Sequence, residues 1–167
     1  MLYTRRGNGS KTKSSKLIEA LGTLDELNSL LGIVKVRAVK KKKIAGLLQE
    51  AQNNLFIAQA ELAGALKTIS SEKVAALEKV IDGIEKKLLP LKSFVVPGGT
   101  ELGALFDFAR AVARRAEHRV VVAREEKKVK LGGGTMAYLN RLSSLLYALA
   151  RLVNHESGIK EEAPTYQ

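Results

Sequence analysis

Arginines and a glutamate recur at helical spacing between residues 110 and 117 of this sequence. Arg110, Arg114 and Glu117 lie at i, i+4 and i+7, so a helix would carry all three on one face. Guanidinium groups are planar, permanently charged donors that match phosphate oxygens. The pattern permits a phosphate-binding face, although a solvated basic surface with an Arg–Glu pair is the simpler interpretation of the spacing alone.

Polar side chains also interrupt the leucine-rich segment further along the chain. Asn140 and Ser144 share a helical face at i, i+4. An amide at this position could bind an adenine edge or a ribose hydroxyl, because it offers both a donor and an acceptor. An Asn that is exposed, or hydrogen-bonded within the protein, explains the same spacing, so Asn140 is a candidate without an assigned role.

The first residues combine glycines, hydroxyl groups and basic side chains. The candidates in segment 1–16 are Thr4, Arg5, Arg6, Gly7, Lys11, Thr12 and Lys13. Exposed backbone N–H groups of such a segment can approach phosphate oxygens closely. The segment lacks the G-x-x-x-x-G-K-[ST] pattern of a P-loop, and a disordered basic tail is the alternative.

Composition limits the chemistry that is available. The chain has 167 residues, 46% of them apolar, which fits one domain with a full core. Cysteine is absent, which excludes disulfides, zinc knuckles, iron–sulfur clusters and thiol catalysis. Only His118 and His155 are histidines, too few for most metal or triad chemistry. Neither a signal-peptide core nor a membrane-spanning run is found, so we expect a soluble, cytoplasmic protein.

The formal charge of +11 favours polyanionic partners, namely nucleic acid, an anionic membrane or a polyphosphate ligand. Two further classes therefore stay open: a basic bundle that binds nucleic acid, and a regulatory bundle that binds a nucleotide without catalysis. Aromatic residues make up only 5% of the chain, which weakens the first, because single-stranded nucleic acid stacks on aromatic rings.

Helical elements must position these residues. Apolar residues recur at helical spacing over about 23–38, 44–65, 74–88, 100–129 and 135–158. We therefore predict an all-α fold, a five-helix bundle within a single domain, 1–167. Thr23 with Glu26 forms a predicted capping box, and Thr100 and Thr135 are predicted N-caps.

The segments between and after these helices are predicted to be loops. The lysine run 40–43 reads as a solvated turn, Pro90 and the glycines 132–134 stop helices, and 159–167 reads as a flexible tail.

Taken together, several sequence blocks resemble the PduO-type ATP:cob(I)alamin adenosyltransferases. The blocks are YTRRGNG (3–9), GTLDELN (22–28), FVVPGG (94–99), ARAVARRAE (109–117) and YLNRLS (138–143). The similarity runs from residue 3 to about residue 158, and the last two blocks are the most specific.

The resemblance implies transfer of the 5′-deoxyadenosyl group of ATP to cob(I)alamin, or to a related cob(I)yrinic acid derivative, with release of triphosphate. It also implies a homotrimer with ATP and cobalamin bound near subunit interfaces, and Mg²⁺ held on the phosphates rather than by protein ligands. A Co(II) reductase and an adenosylcobalamin-dependent enzyme would be further partners. Nucleic acid and membrane would not be partners.

Site residues follow from the matched blocks. The N-terminal loop would wrap the triphosphate through the residues named above, with Lys16 as a substitute for Lys13. The other nucleotide-binding positions would be Arg114, Arg115, Glu117, His118 and Asn140. Asp25 and Arg110 match a pair that links subunits, and Phe94 matches an aromatic that helps to displace the lower axial ligand of the corrin. The catalytic set would therefore be Arg114, Phe94, Asp25 and Arg110.

This sequence departs from the family pattern at several positions. Asn8 stands where the family loop usually has Asp, His118 where it usually has Arg, and Ser144 where it usually has Asp. The tail is short, and Tyr166 is the only candidate for an aromatic that closes over the corrin.

Overall fold

The computed structural model of the protein describes residues 15–91, 93–127 and 131–166. Within these ranges all regular secondary structure is helical, which confirms the predicted all-α fold with five helices. They are α1 (Ser15–Arg37), α2 (Lys42–Leu62), α3 (Ser71–Glu85), α4 (Glu101–Lys127) and α5 (Gly133–Glu156). None of these helices is long and apolar enough to cross a lipid bilayer.

Helix α4 occupies the middle of the bundle, where it packs on both α1 and α5, while α2 packs on α1 and α3 on α5. Asn54 of α2 joins this helix to α5 and α3. Its amide group donates to the Tyr138 hydroxyl of α5 at 3.0 Å, and its carbonyl oxygen accepts from Lys73 Nζ of α3 at 2.5 Å. The helices therefore close around one core.

Apolar side chains, most of them at helical spacing, fill that core. The largest fully buried ones are Leu24, Leu27, Leu31, Leu48, Leu55, Leu62, Ile69, Phe106, Leu139, Leu142, Leu145 and Leu146. Burying one such side chain contributes about 1.5–3 kcal/mol. This stripe pattern is what the sequence periodicity predicts, and it fixes which faces of α4 and α5 remain available for a site.

Helix α1 begins well before the position that the capping box predicts. Leu17 and Ala20 are buried and extend the apolar stripe of α1 toward its N-terminus. The Thr23 hydroxyl donates to the backbone oxygen of Glu19 at 2.7 Å, one turn back in the same helix. The predicted N-cap at Thr23 is wrong, because continued burial outweighs the local capping preference.

The N-cap predicted at Thr100 is confirmed, because its hydroxyl accepts the N–H of Gly103 at 3.0 Å at the start of α4. The N-cap predicted at Thr135 is wrong, since α5 begins at Gly133 with Gly132 as N-cap. Among the described residues no side chain caps α5, but the buried carboxylate of Glu61, from α2, binds two residues at its start. It accepts from the N–H of Gly132 at 2.7 Å and from the Thr135 hydroxyl at 2.5 Å.

The lysine run 40–43 was predicted to form a turn between helices. Lys40 and Lys41 do lie between α1 and α2, whereas Lys42 and Lys43 belong to the first turn of α2. Lys41 Nζ pairs with Glu156 Oε2 at 2.6 Å, so the turn is tied to the last residue of α5. Residues 86–100, called the connector below, join α3 to α4 and carry Phe94.

Candidate active site

An open cavity of about 620 Å³ lies between α4, α5 and the connector. Its walls come from Arg110 and Arg114 of α4, from Ser143, Ser144 and Tyr147 of α5, and from residues 91 and 93–95 of the connector. Phe94 forms part of this wall although 80% of its surface is exposed. The cavity thus brings together Phe94, Arg110 and Arg114, three of the residues expected from the sequence.

The two arginines of this cavity differ in how the described residues engage them. Within the described residues, Arg114 has neither a hydrogen-bond nor an ion-pair partner, and its side chain is exposed. The guanidinium carbon of Arg110 lies 5.6 Å from the ring centroid of Tyr147, and its buried Nε has no hydrogen-bond partner. The guanidinium of Arg114, which no described residue pairs with, makes this wall of the cavity suitable for an anionic ligand.

One turn beyond Arg114, Glu117 is linked to α5. Asn140 Nδ2 donates to Glu117 Oε1 at 2.9 Å, and Asn140 Oδ1 accepts from Arg141 Nη1 at 2.5 Å. Arg141 in turn donates through Nε to Glu78 Oε1 of α3 at 2.9 Å. Glu117 and Asn140, which were each expected to bind ATP, are therefore joined to one another, with both polar ends of the Asn140 amide engaged.

Arg115 and His118 do not line the cavity. Arg115 Nη2 donates to both carboxylate oxygens of Glu26 at 2.6 Å and joins α4 to α1. His118 is exposed on α4, and Asp25 is exposed on α1. The roles expected for these three residues stay predictions.

The expected phosphate-binding residues of the N-terminal segment lie outside the described part of the chain. They are Thr4, Arg5, Arg6, Gly7, Lys11, Thr12 and Lys13. Lys16 is described, and it lies half-buried in the first turn of α1.

The end of the connector is held by side chains of the two helices that form the cavity. Asp107 of α4 accepts the N–H of Gly98 at 3.0 Å. Burial raises the pKa of the Asp107 carboxyl, while the Gly98 N–H and the charge of Arg110 lower it to a lesser extent. Asn154 of α5 holds the other polar groups of this turn, from Gly98 to Thr100.

A second open cavity, of about 760 Å³, lies on the other side of Phe94, between the connector and residues 158–163. Arg151 joins these two segments, because its guanidinium donates to both carboxylate oxygens of Glu161 and to the backbone oxygen of Leu89 at 2.9 Å. The N–H of Val96 donates to the backbone oxygen of Glu162 at 2.8 Å. Phe94 therefore separates two adjoining cavities.

Sequence reasoning missed Tyr147, Asp107 and Asn154. Tyr147 had a detectable signal, because it lies at i+7 from Asn140 and thus on the same face of α5. Asp107 and Asn154 had no comparable signal, since their partners belong to the connector and are identified only by tertiary structure. No three His, Asp or Glu side chains of the described ranges are grouped as they would be around a metal ion.

The fold and this site define an all-helical protein whose arginine-bearing cavity can accept an anionic ligand beside an exposed aromatic side chain. Comparison with known families gives a more specific result. The family model for cobalamin adenosyltransferase matches residues 3–153, so the chain belongs to the cobalamin adenosyltransferase family.

Characterised relatives agree with this assignment. The chain is 41% identical to the corrinoid adenosyltransferase PduO of Citrobacter freundii over 172 residues, which cover 93% of this chain and 50% of that protein. It is 34% identical to the corrinoid adenosyltransferase of Bacillus subtilis over 173 residues, covering 95% and 89%. The chain spans about half the length of the PduO proteins from Citrobacter freundii and Salmonella typhimurium that it matches.

Solved structures show the same fold. A variant PduO-type ATP:corrinoid adenosyltransferase from Lactobacillus reuteri, complexed with cobalamin and ATP, superposes with a TM-score of 0.86 at 26% identity, over 98% of this chain and 96% of that chain. Another variant from the same organism, complexed with ATP, gives a TM-score of 0.86 at 26% identity, over 98% and 100%.

Proposed function

We propose that this chain transfers the 5′-deoxyadenosyl group of ATP to the cobalt of cob(I)alamin, or of a related cob(I)yrinic acid derivative. The observation that carries the proposal is the cavity in which the unpaired guanidinium of Arg114 and the exposed ring of Phe94 occur together. Family membership supports it, as do the Lactobacillus reuteri enzymes complexed with cobalamin and ATP.

The reaction makes modest demands on protein chemistry. Co(I) donates an electron pair to C5′ of ATP, a Co–C bond forms, the C5′–O bond breaks, and triphosphate leaves with the bonding pair. Because the cobalt is itself the nucleophile, the protein supplies alignment, charge stabilisation and exclusion of water. None of these tasks needs a general base.

Arg114 is the residue that we assign to charge stabilisation. Its guanidinium lies on the cavity wall without a counter-ion among the described residues, so it is available to bind the oxygens of the departing triphosphate. Segment 1–16 would enclose the remaining phosphate oxygens with its basic and hydroxyl side chains. Mg²⁺ would be carried on the phosphates themselves.

The pair of Glu117 and Asn140 is suited to the nucleoside end of ATP. Their hydrogen bond of 2.9 Å fixes both side chains before a ligand arrives, and a fixed amide and carboxylate can bind ribose hydroxyls or an adenine edge with little ordering. Arg115 and His118, which follow Arg114 on α4, would be further contacts for the same ligand.

Phe94 would act on the corrin. Its ring stands between the two cavities with most of its surface exposed, which suits it to occupy the space below a corrin ring. Crowding out the lower axial ligand leaves a four-coordinate Co(II) that is easier to reduce to Co(I). The role of Phe94 would therefore belong to reduction rather than to adenosyl transfer.

We further propose a homotrimer in which Asp25 of one subunit pairs with Arg110 of the next. Asp25 is exposed on α1 and, among the described residues, has no ion-pair partner. The Nε of Arg110 is buried without a hydrogen-bond partner. A contact between subunits would supply both groups with a partner.

The direct test is to mix the protein with ATP, Mg²⁺ and chemically reduced cobalamin, and to follow the visible spectrum for the cobalt–carbon bond. Arg114→Ala is expected to lower the rate by about 100-fold or more, because transition-state charge loses its donor. Arg119→Ala is the matched control, since Arg119 lies on the same helix but pairs with Glu19.

Three results would contradict the proposal. If the wild-type chain forms no adenosylcobalamin at any useful protein concentration, the activity is not that of this chain. ATP binding without corrinoid binding would indicate a regulatory bundle. Equal rates for Arg114→Ala and Arg119→Ala would show that the cavity arginine is only a solvated charge.

A further inference from the structure

Asn154, in the last turn of α5, takes no part in the reaction described above, yet it makes three hydrogen bonds to the end of the connector. We propose that Asn154 is a positioning residue that sets the connector, and with it Phe94, at the corrin face of the cavity. The inference rests on the proposed function, because the role of Phe94 belongs to it.

Both ends of the Asn154 amide are engaged. Oδ1 accepts from the backbone N–H of Thr100 at 2.9 Å and from the Thr100 hydroxyl at 2.8 Å, while Nδ2 donates to the backbone oxygen of Gly98 at 2.7 Å. An amide that donates on one side and accepts on the other is fixed in orientation. The end of α5 thus holds the last residues of the connector.

The backbone at Gly99 and Gly103 lies close to this amide. A Cβ added to Gly99 would lie 2.8 Å from the Asn154 side chain, and one added to Gly103 would lie 2.3 Å from its Oδ1. Gly99 also has a φ of 93°, in the left-handed region that favours glycine. Two glycines therefore let the connector and the first turn of α4 close directly onto Asn154.

These contacts connect the part of the cavity wall that carries Arg110 and Arg114 to the part that carries Phe94. Thr100 is the N-cap of α4, which carries Arg110 and Arg114. Gly98, four residues after Phe94, is bound by Asn154 through its carbonyl and by Asp107 through its N–H. Asn154 therefore fixes the point at which the chain leaves Phe94 and enters α4, so it determines where the ring stands relative to the arginines.

A positioning residue affects one step of the reaction more than the others, whereas a residue that only stabilises the fold affects all steps alike. If the connector shifts, Phe94 crowds the lower face of the corrin less well, and the reduction of Co(II) suffers. Transfer that starts from Co(I) uses Arg114 and the nucleotide site, and it suffers less. The two starting states therefore separate the proposed role from a loss of folded protein.

The variants are Asn154→Ala, which removes all three bonds, and Asn154→Asp. The aspartate keeps the acceptor for Thr100 but replaces the donor to Gly98 by a carboxylate oxygen, so it remains testable if the alanine variant does not fold. Leu152→Ala is the matched control, because Leu152 is buried in the same helix and its aliphatic side chain cannot hydrogen-bond to the connector.

For both Asn154 variants we expect the rate from Co(II) with reductant to fall about 10-fold further than the rate from Co(I). The electron paramagnetic resonance signal of four-coordinate Co(II), recorded with ATP, should shrink in parallel. The KM for ATP should change by less than about 2-fold. Leu152→Ala should lower both rates by the same factor.

Equal losses from both starting states in the Asn154 variants, or an unchanged Co(II) signal, would overturn the inference. The same is true if Leu152→Ala reproduces the selective loss, because the effect would then be a general softening of α5. A wild-type chain that transfers no adenosyl group would instead refute the proposed function, which keeps the two failures distinct.

Discussion

The guanidinium of Arg110 lies over the ring of Tyr147, 5.6 Å from the ring centroid, and joins α4 to α5 across the cavity. A cation within about 6 Å of an aromatic centroid is attracted by the ring. Nε of Arg110 is nevertheless buried without a hydrogen-bond partner in the part of the chain that the structure describes. Because an unsatisfied buried donor costs about 1–3 kcal/mol, we expect its partner to come from outside the subunit.

The first prediction concerns Asp25 and Arg110 as a pair between subunits. Asp25→Asn and Arg110→Ala are each expected to weaken assembly, and the double variant should be little weaker than either single one. The coupling energy should exceed about 0.5 kcal/mol, as for residues in contact. Concentration-dependent sedimentation measures it, with Asp82→Asn, at an exposed site on α3, as control. Strictly additive effects would mean that the two residues do not meet.

The second prediction concerns Phe94. Phe94→Ala should lower the rate that starts from Co(II) by about 100-fold, and the rate from Co(I) much less. Since 80% of the Phe94 surface is exposed, the free energy of unfolding should change by less than about 0.5 kcal/mol. Phe56→Ala, on the exposed face of α2, is the control and should leave both rates unchanged. Equal losses from Co(II) and Co(I) would remove Phe94 from the reduction step.

The third prediction concerns the pH dependence of stability at Asp107. Burial raises the pKa of this carboxyl, so the protonated form is more favoured in the folded protein than in the unfolded chain. Its contribution to stability is present below the unfolded pKa near 3.8 and is lost as the pH rises through the raised pKa. Asp107→Asn keeps an acceptor for the Gly98 N–H. It should therefore be more stable than the wild type at neutral pH.

Urea denaturation at several pH values measures this difference. The advantage of Asp107→Asn should shrink toward zero as the pH falls below the unfolded pKa. Asp82→Asn, at an exposed site, should show no such trend. An advantage of Asp107→Asn that is constant with pH would contradict the proposed effect of ionisation.

The fourth prediction concerns the buried bond between Tyr138 and Asn54. Burial raises the pKa of Tyr138 to about 12. Its contribution to stability is therefore present below the unfolded pKa near 10 and is lost as the pH rises through about 12. An ultraviolet titration should show one tyrosine that ionises at higher pH than the others. This transition should be missing in Tyr138→Phe.

Tyr138→Phe should also lower stability at neutral pH. The variant leaves Asn54 Nδ2 buried without its acceptor, at a cost of about 1–3 kcal/mol. Thermal unfolding measures the loss. Substituting both residues, Asn54→Leu with Tyr138→Phe, should restore part of it if the unpaired amide is the cause.

Sequence alone predicted the helices because apolar periodicity is a local signal. It misplaced two helix starts, because the deciding contacts are not local. Leu17 and Ala20 extend the buried stripe of α1 to positions before the capping-box motif at Thr23. The carboxylate that binds the residues at the start of α5 belongs to Glu61, on a different helix.

For the site, too, the sequence predicted features that lie within one helix but not the contacts between helices. Arg110 and Arg114 share a helical face, and the structure places both on one cavity wall. Spacing gave no means of foreseeing that Arg115 pairs with Glu26 of α1, or that Asn154 holds the connector. Both contacts depend on how separate helices pack together, which a single sequence read locally does not encode.

The carboxylate of Glu61 has a practical consequence for engineering. Together with Thr135 it binds the turn before α5 to the end of α2, and a Cβ on Gly134 would come within 2.1 Å of the Ile69 backbone oxygen. Insertions there would disrupt the fold. The neighbouring Leu66 is fully exposed, at the far end of an α4 that is about 40 Å long. A fluorophore or affinity tag at residue 66 would therefore immobilise or report on the protein without disturbing Phe94 and its cavities.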